Sequence, residues 1–242
     1  MIISISQPAY LPWLGYFDRI AASDVHVVLD HVQFEKNSFT NRNRIRTPDG
    51  AAWLTIPLLT SGNFGALEIN RLRVADKGRW AKKHAQSLKL NYGRSPAFKS
   101  LWPRLEPHFP EQAEPDRQPP LFLPPVDALN RASLDLLGIS TPLVHSSAME
   151  LESAKSHLVL DICRQVGASQ YLSGSLGRNY LNLDLFADAG IEVMFHDYSP
   201  ATYPQIWSGF HSHLAAVDAI FALGEMEARR IMAIGRRIAR PS

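Results

Sequence analysis

Apolar and polar positions along the chain fall into a few recognisable rhythms. Residues 2–6, IISIS, form a short apolar run that predicts a buried strand. From Trp13 to Ala22, Leu14, Phe17 and Ile20 recur at helical spacing, and Pro12 precedes them where a missing N–H costs nothing. Val25 to Leu29, bounded by Asp24 and Asp30, predicts a second strand. Strand, helix and strand within thirty residues make a βαβ unit, which favours a parallel sheet.

The pattern then turns polar. His31 to Asp49 carries few apolar residues, and Thr47-Pro48-Asp49-Gly50 is a strong turn signal. It separates Asn43–Arg46 from Trp53–Leu58, so a β-hairpin is expected there. INRLRV, residues 69–74, alternates and predicts a further strand. Asp76 can cap a helix running to about Tyr92, with Trp80, His84 and Leu88 as its apolar stripe and Lys77, Lys82, Lys83 and Lys89 as its basic face. A second helix follows Ser95-Pro96. Residues 110–125 contain six prolines and read as a connector between an N-terminal part, 1–109, and a C-terminal part, 126–242, packed as one compact domain. Beyond it, helix is expected at Val126–Leu137, Ser153–Val166, Leu181–Ala189 and from about Leu214. Strands are expected at Pro142–His145, Gln170–Ser173 and Ile191–His196. The fold class is therefore α/β, a mostly parallel sheet flanked by helices, with a polar β-hairpin insertion after the second strand.

Composition narrows the class little. At 242 residues, with 45% hydrophobic and 20% charged residues, the chain can bury a sizeable core. Its 25 Lys+Arg against 23 Asp+Glu give a net charge of +2, so global charge does not point to nucleic acid or an anionic membrane. The single cysteine, Cys163, excludes a disulfide framework and fits a reducing compartment. No basic segment followed by a long apolar one opens the chain, and no apolar run approaches a membrane span, so a cytoplasmic protein is expected.

In open parallel sheets, ligands sit beyond the carboxyl ends of the strands. Three polar clusters fall at such ends. In the first, after IISIS, Gln7 and Tyr10 offer donors while Pro8, Pro12 and Trp13 make a stiff wall; the competing reading is a proline-fixed turn with aromatic core packing. In the second, Asp30 to Arg46, the cations Lys36, Arg42, Arg44 and Arg46 face only Glu35 within residues 35–46, with Gln33, Asn37, Asn41 and Asn43 as further donors. Guanidinium forks bind oxyanions bidentately. A solvated loop is the alternative, although Phe34 and Phe39 interleave the polar residues. The third is Ser173-Gly174-Ser175-Leu176-Gly177-Arg178-Asn179-Tyr180, where glycines allow close backbone approach and a following helix supplies its positive end. It lacks both the P-loop Lys-Ser/Thr and the GxGxxG spacing, so a plain strand-to-helix turn competes with a phosphate cradle. Nine histidines include His211 and His213 two apart and the adjacent pair His196-Asp197. None makes a recognisable ligand set, and no metal is expected. Cys163 reads as a core residue. Asp30, His84, Asp184 and His196 are the candidate general acids and bases.

The run Gln7-Pro8-x-Tyr10-Leu11-Pro12-Trp13-Leu14-Gly15-Tyr16-Phe17 continues with Ser23-Asp24 and Leu29-Asp30-x-Val32-Gln33-Phe34-x-Lys36-Asn37-Ser38. Together with Asn41-Arg42-Asn43-x-Ile45, Thr47-Pro48-x-Gly50 and Trp53-Leu54-Thr55-x-Pro57, it resembles the WbqC-like family. So do Trp80-x-x-Lys83-His84, Asn91-Tyr92, Tyr171-Leu172-Ser173-Gly174, Tyr180-Leu181 and Tyr203-Pro204-Gln205. The similarity extends over about residues 2–225. It implies a cytoplasmic bacterial protein associated with surface-polysaccharide or sugar-nucleotide biosynthesis, in a family whose members are described as transferases. Two positions depart from the family pattern. Ser6 stands where relatives commonly have His, and Phe210-His211-Ser212-His213 with Phe221-Ala222-Leu223-Gly224 replaces a Phe-x-Pro…Phe-Asn-x-Gly tendency.

Residues and resemblance together lead to a transferase acting on a phosphorylated or sugar-nucleotide small molecule, in its most specific form by acyl or aminoacyl transfer to an amino group. Lys36, Arg42 and Arg44 would bind the anionic part, while Gln7, Tyr10, Asn41 and Asn43 would orient it. His84, beside Lys83, would be the base, with Asp30 as the second catalytic candidate. Trp13, Gln33, Asn37, Tyr92, Ser173, Gly174, Arg178, Tyr180, Tyr203 and Gln205 complete the expected binding set. The cofactor is left open, and a second copy of the chain is a candidate partner. Two alternatives stand beside this reading. Nucleotidyl transfer lacks its HxxH or HxGH pair here, and a non-catalytic assembly module would show an exposed aromatic patch. Nucleic-acid binding would have to rest on the basic loop alone.

Overall fold

IISIS becomes the central strand of the sheet, β1 (Ile2–Ser6). In the computed structural model, which describes residues 1–60, 67–111 and 118–241, α1 (Leu14–Ala21) leads to β2 (Val25–Val28), paired parallel to β1. The chain then departs into the hairpin β3 (Arg42–Thr47) and β4 (Gly50–Thr55). The helices α2 (Arg79–Tyr92), α3 (Phe98–Leu105) and α4 (Leu123–Leu136) follow before the chain returns as β5 (Leu143–His145) beside β2. Helix α5 (Lys155–Val166) crosses to β6 (Gln170–Gly174) on the other side of β1, and α6 (Leu183–Asp188) leads on to β7 (Glu192–Tyr198). Helices α7 (Val217–Leu223) and α8 (Glu225–Ile234) precede β8 (Arg236–Ala239), antiparallel to β7.

The six-stranded order is β5-β2-β1-β6-β7-β8. Winding runs outward from β1 in one direction through β2 and β5, then restarts on the other side through β6 and β7. This is the order of a doubly wound sheet, and the reversal lies between β1 and β6. The hairpin forms its own two-stranded sheet, as the Thr-Pro-Asp-Gly turn predicts, with Thr47 opposite Gly50.

Side chains alternate across a strand with a period of two, and here the two faces differ in chemistry. Ile3, Ile5, Val27, Tyr171, Val193 and Phe195 enter an apolar cluster with Leu158, Ile162 and Phe186 of α5 and α6. The intervening Ser4, Ser6, His26 and His196 fall on the opposite, α1 side, where Ser4 and His26 are completely buried. The larger cluster joins α1, the hairpin, α2–α4 and α7–α8, and holds Tyr10 and Trp80 together with Phe221 and Met232 from beyond the proline-rich connector. Of that connector, residues 112–117 lie outside the described residues.

Three expectations are corrected. INRLRV is not a strand: Ile69–Arg71 is a single 3-10 turn. Its backbone bonds are dispersed, Ile69 N to Val32 O, Asn70 N to Asp30 O and Leu72 N to Ile69 O, so no ladder forms. Helix α2 begins at Arg79 rather than after Asp76, because Gly78 is left-handed at φ +90° and Asp76 Oδ1 accepts its N–H. The C-terminal helical region is broken at Gly224 (φ +79°, ψ 171°) and ends in the unforeseen strand β8.

Candidate functional site

The loop between β1 and α1 is held from several directions. Tyr10 N–H donates to Phe39 O (3.1 Å), Ala216 N–H to Pro12 O (2.8 Å), Asn43 Nδ2 to Leu11 O (2.6 Å) and Asn130 Nδ2 to Ala9 O (3.0 Å). Leu11 sits at φ +43°, a conformation that costs a bulky residue energy and persists only because these contacts fix it. The loop thereby delivers Trp13, Gly15 and Tyr16 to the carboxyl end of β1.

There, at the reversal of winding, lies a cavity of about 460 Å3. Ser6 stands at the end of β1, Trp13, Tyr16 and Tyr198 supply aromatic walls, and the segment Gly174–Gly177 after β6 closes the far side with Tyr180. Trp13 meets Tyr198 edge-on at 5.3 Å and His213 at 4.8 Å. His213 is shifted below its usual range by burial and by the nearby Arg44 charge. Glycine makes room at two points. A Cβ on Gly15 would stand 2.6 Å from the Trp13 ring and 2.8 Å from Tyr198, and one on Gly174 would overlap Arg19 Nη1.

A guanidinium and an imidazole enter the cavity from α1 and β7. Arg19 lines it, and its buried Nε has no protein partner among the described residues. A buried donor left unpaired is costly, so an acceptor is expected to meet it. His196 also lines the cavity. Its Nε2 stands 2.7 Å from Asp18 Oδ2, and the completely buried Asp18 carboxylate also accepts from Arg236 Nε (3.0 and 3.1 Å) and Nη2 (2.9 Å). Nε2 being occupied, Nδ1 is the ring nitrogen of His196 left for a ligand. Behind Ser6, His26 is buried. Its Nε2 is 3.1 Å from Ser6 Oγ, its Nδ1 is 2.7 Å from Ser4 Oγ, and Ser4 Oγ is 2.8 Å from Ser23 Oγ. Burial, with Arg19 nearby, lowers the His26 pKa to about 3.

Among the residues singled out from sequence, Trp13, Gly174, Tyr180 and the acid–base candidate His196 line this cavity. Ser173 adjoins it, buried beneath Gly177. Arg178 is engaged outside, bidentate to Asp197 at 2.8 and 2.9 Å. Gln7 lies in the β1–α1 loop, its carbonyl accepting from Tyr16 at 3.4 Å. The others are elsewhere. His84 is buried in α2, its Nδ1 2.8 Å from Tyr10 Oη, and its pKa is lowered to about 4 by burial and by the Lys83 charge. Lys83 itself is exposed. Tyr92 Oη accepts from Arg46 N (2.7 Å).

Asp30 ties β2 to the end of β5. Its carboxylate accepts from Ser146 Oγ (3.0 Å), Ser147 N (2.8 Å) and Ser147 Oγ (2.7 Å), and pairs with His145 Nδ1 (3.1 Å). His145 Nε2 reaches Asp127 at 3.1 Å. Burial alone would raise the Asp30 carboxyl, but the bonds from His145, Ser147 and Ser146 hold it at about 2. The bonds to Asp127 and Asp30 push His145 up to about 9.

Gln33 bridges Leu67 N (3.0 Å) and Phe34 O (3.1 Å), and Asn41 Nδ2 donates to Ile56 O (2.8 Å). Lys36 and Asn37 are exposed, with Asn37 O accepting from Arg42 Nη2 at 2.7 Å. Arg42 and Arg44 lie over the exposed Trp53 ring at 4.4 and 5.7 Å, making a separate patch on the hairpin with Phe39. Tyr203 Oη donates to Asp218 (2.7 Å), while Gln205 bonds the backbone of His211 at 2.8 and 2.9 Å. The residues not singled out for binding, Ser6, Tyr16, Asp18, Arg19, His196, Tyr198 and His213, supply most of the cavity's chemistry. For Ser6, and for His26 behind it, the signal was a hydroxyl or imidazole at alternate positions of otherwise apolar strands, as in ISIS and HVVL.

Among the described residues, no helix is long and apolar enough to cross a membrane. A family model described as the WbqC-like protein family matches residues 7–230. The Uncharacterized protein Rv1507c of Mycobacterium tuberculosis (strain ATCC 25618 / H37Rv) is 33% identical over 227 residues, covering 92% of this chain and 94% of that protein. No solved structure matches the chain.

Proposed function

The chain belongs to the WbqC-like protein family, and from that premise we propose that it is a transferase acting on a sugar nucleotide or related phosphorylated metabolite, held in the cavity between β1 and β6. The observation that carries this reading is the convergence of Arg19, whose buried Nε has no partner among the described residues, with the Asp18-supported imidazole of His196 in one aromatic-walled cavity. A volume of about 460 Å3 suits a small-molecule ligand. Arg19 and the backbone after β6 would take the phosphate oxygens. Trp13, Tyr16 and Tyr198 would flank a sugar or base ring.

In its most specific form the reaction is acyl or aminoacyl transfer from a thioester or ester donor to an amino group. The amine nitrogen attacks the carbonyl carbon, a C–N bond forms, and the bond to the leaving sulfur or oxygen breaks with its electron pair. His196 Nδ1 takes the amine proton and returns it to the leaving group. Asp18 orients the ring and stabilises the imidazolium. The base thus moves from the buried His84 to His196. The role in surface-polysaccharide biosynthesis that goes with this reading is what the family resemblance implies.

Calorimetric titration with nucleotide sugars tests the reading. Binding that is lost in Arg19→Ala, with unchanged thermal unfolding, is expected. The absence of any nucleotide-sugar response in the wild type would overturn it. A second reading, a binding module in a polysaccharide assembly, draws on the exposed Phe39 and Trp53 (45% and 46% exposed) with Arg42 and Arg44. It requires loss of a stable partner on Trp53→Ala.

A further inference from the structure

The hydroxyls behind Ser6 form a relay whose proton order the geometry determines. Ser23 Oγ stands 2.9 Å from Ile20 O, Ser4 Oγ 2.8 Å from Ser23 Oγ, His26 Nδ1 2.7 Å from Ser4 Oγ, and Ser6 Oγ 3.1 Å from His26 Nε2. A carbonyl only accepts, so the first gap must hold the Ser23 hydrogen. The second gap must then hold the Ser4 hydrogen, since two oxygens at this distance without one repel. Ser4 Oγ is left to accept, so the third gap holds the hydrogen on His26 Nδ1. A neutral imidazole then has a bare Nε2, and the fourth gap is filled by the Ser6 hydrogen. With the ring neutral, as its complete burial and the nearby Arg19 charge favour, no other arrangement places one hydrogen in each gap.

Ser6 thus spends its only hydrogen inward and, with the Tyr16 hydroxyl beside it, keeps only lone pairs for the cavity. The arrangement has the outline of a serine nucleophile beside its histidine, but it lacks the means to work as one. The third member is the Ser4 hydroxyl rather than a carboxylate, so nothing opposes the charge of an imidazolium. His26 is completely buried and has Arg19 nearby, and both disfavour protonation, consistent with a pKa of about 3. The Ser6 proton has nowhere to go. Apart from the hydroxyls, the aromatic edge of Tyr16 at 5.9 Å faces the imidazole.

We propose that Ser6 is a specificity-determining residue that acts only as a hydrogen-bond acceptor, selecting ligands that present an N–H donor, an amino group, at the end of β1. This rests on the transferase reading and names its acceptor substrate as an amine. A ligand carrying a carbonyl there would set two acceptors against each other and leave Ser6 unpaired.

Two measurements test it. The first needs no ligand: nitrogen-15 NMR of the His26 ring from pH 5 to 8. The expected spectrum is neutral, protonated on Nδ1, with an Nε2 resonance that moves in Ser6→Ala while Nδ1 does not. A proton on Nε2 overturns the proposal. The second is calorimetry with a nucleoside-diphosphate amino sugar and its keto-sugar counterpart. Wild type should prefer the amino sugar by up to about 10-fold, as expected for a hydrogen bond to a neutral amino donor, and Ser6→Ala should bring the two to near equality. Retention of the preference in Ser6→Ala overturns the proposal even though the transferase reading stands. If neither probe binds, the transferase reading and the selection fall together, and only the proton order of the relay survives.

Discussion

Gly174→Ala separates ligand binding from folding. Gly174 has φ −68° and ψ 162°, an extended conformation any residue adopts, so the backbone offers no objection. In the unfolded chain alanine has less freedom to lose, which stabilises by about 0.4–1 kcal/mol. The new Cβ would overlap Arg19 Nη1, the far end of a flexible side chain, so Arg19 must swing away while the core stays intact. If Arg19 makes one charge-assisted bond to a phosphate, its displacement costs about 1.5–3 kcal/mol, or about 10- to 150-fold in affinity. The expected pair of results is an unfolding temperature equal to or above wild type and weakened nucleotide-sugar binding by calorimetry. Gly177→Ala is the counterpart. Its Cβ would overlap Oγ of the short, buried Ser173 and approach Leu181 Cδ1 to 3.0 Å, neither of which can retreat far. It should cost about 1–3 kcal/mol of stability. Wild-type affinity in Gly174→Ala, or loss of stability equal to that of Gly177→Ala, would refute the placement of Arg19 as the anion contact.

Asp18→Asn strands His196 and Arg236 beside an uncharged amide and should cost about 3–5 kcal/mol in urea unfolding, toward the lower figure because the Arg236 side chain is 33% exposed and can rehydrate. A loss below about 1 kcal/mol would contradict the buried ion cluster. Stability should also depend on pH through Asp30 and His145. Asp30 is depressed from 3.8 to about 2, so its contribution is complete above about pH 4 and fades as pH falls toward 2. His145 is raised from 6.5 to about 9, so its contribution is complete below about pH 6.5 and fades as pH rises through 9. The two shifts share the Asp30–His145 contact, which counts once, at about 2–3 kcal/mol, while the bond to Asp127 is the larger cause of the His145 shift. Urea titrations should show a plateau between about pH 4 and 6.5; Asp30→Asn should flatten the acid slope and reduce the alkaline one, which Asp127→Asn reduces further, and unchanged slopes exclude these contacts as their source. Tyr10→Phe leaves buried His84 Nδ1 without its hydroxyl partner and should cost about 1–2 kcal/mol while nucleotide-sugar binding is unchanged. A selective loss of binding would return His84 to the site.

The strands were legible because each is a short apolar run of the kind a covered parallel strand requires, and the hairpin because Pro-Asp-Gly admits few other conformations. β8 was not, since RRIA carries two arginines and its pairing to β7 depends on Asp197 and Tyr198 opposite them. The donor-rich loop from Asp30 to Arg46 invited a functional reading. Asn41 and Asn43 instead satisfy main-chain carbonyls, and Arg46 is buried with its guanidinium on Thr47 O and Ser208 O. Local sequence does not distinguish an amide that binds a ligand from one that closes a loop; both need the same donors. Asp18 and Arg19 were hidden for a different reason. They lie inside an amphipathic helix, and only the distant His196 and Arg236 reveal Asp18 as a buried partner rather than a solvated surface charge.

β2 and β5 are neighbours in the sheet, yet residues 29–142, nearly half the chain, run between them. Because closing a loop costs entropy that grows only with the logarithm of its length, the excursion adds little to the final stability, but it postpones the contact. β5 has three residues and cannot hold its place by ladder bonds alone. Asp30, reaching across to His145, Ser146 and Ser147, is the latch that fastens it once it arrives. The edge of the sheet is therefore completed late in folding and opens early under stress. Amides of Leu143 to His145 should lose their protection from hydrogen exchange before those of β1, and faster still when the latch is removed.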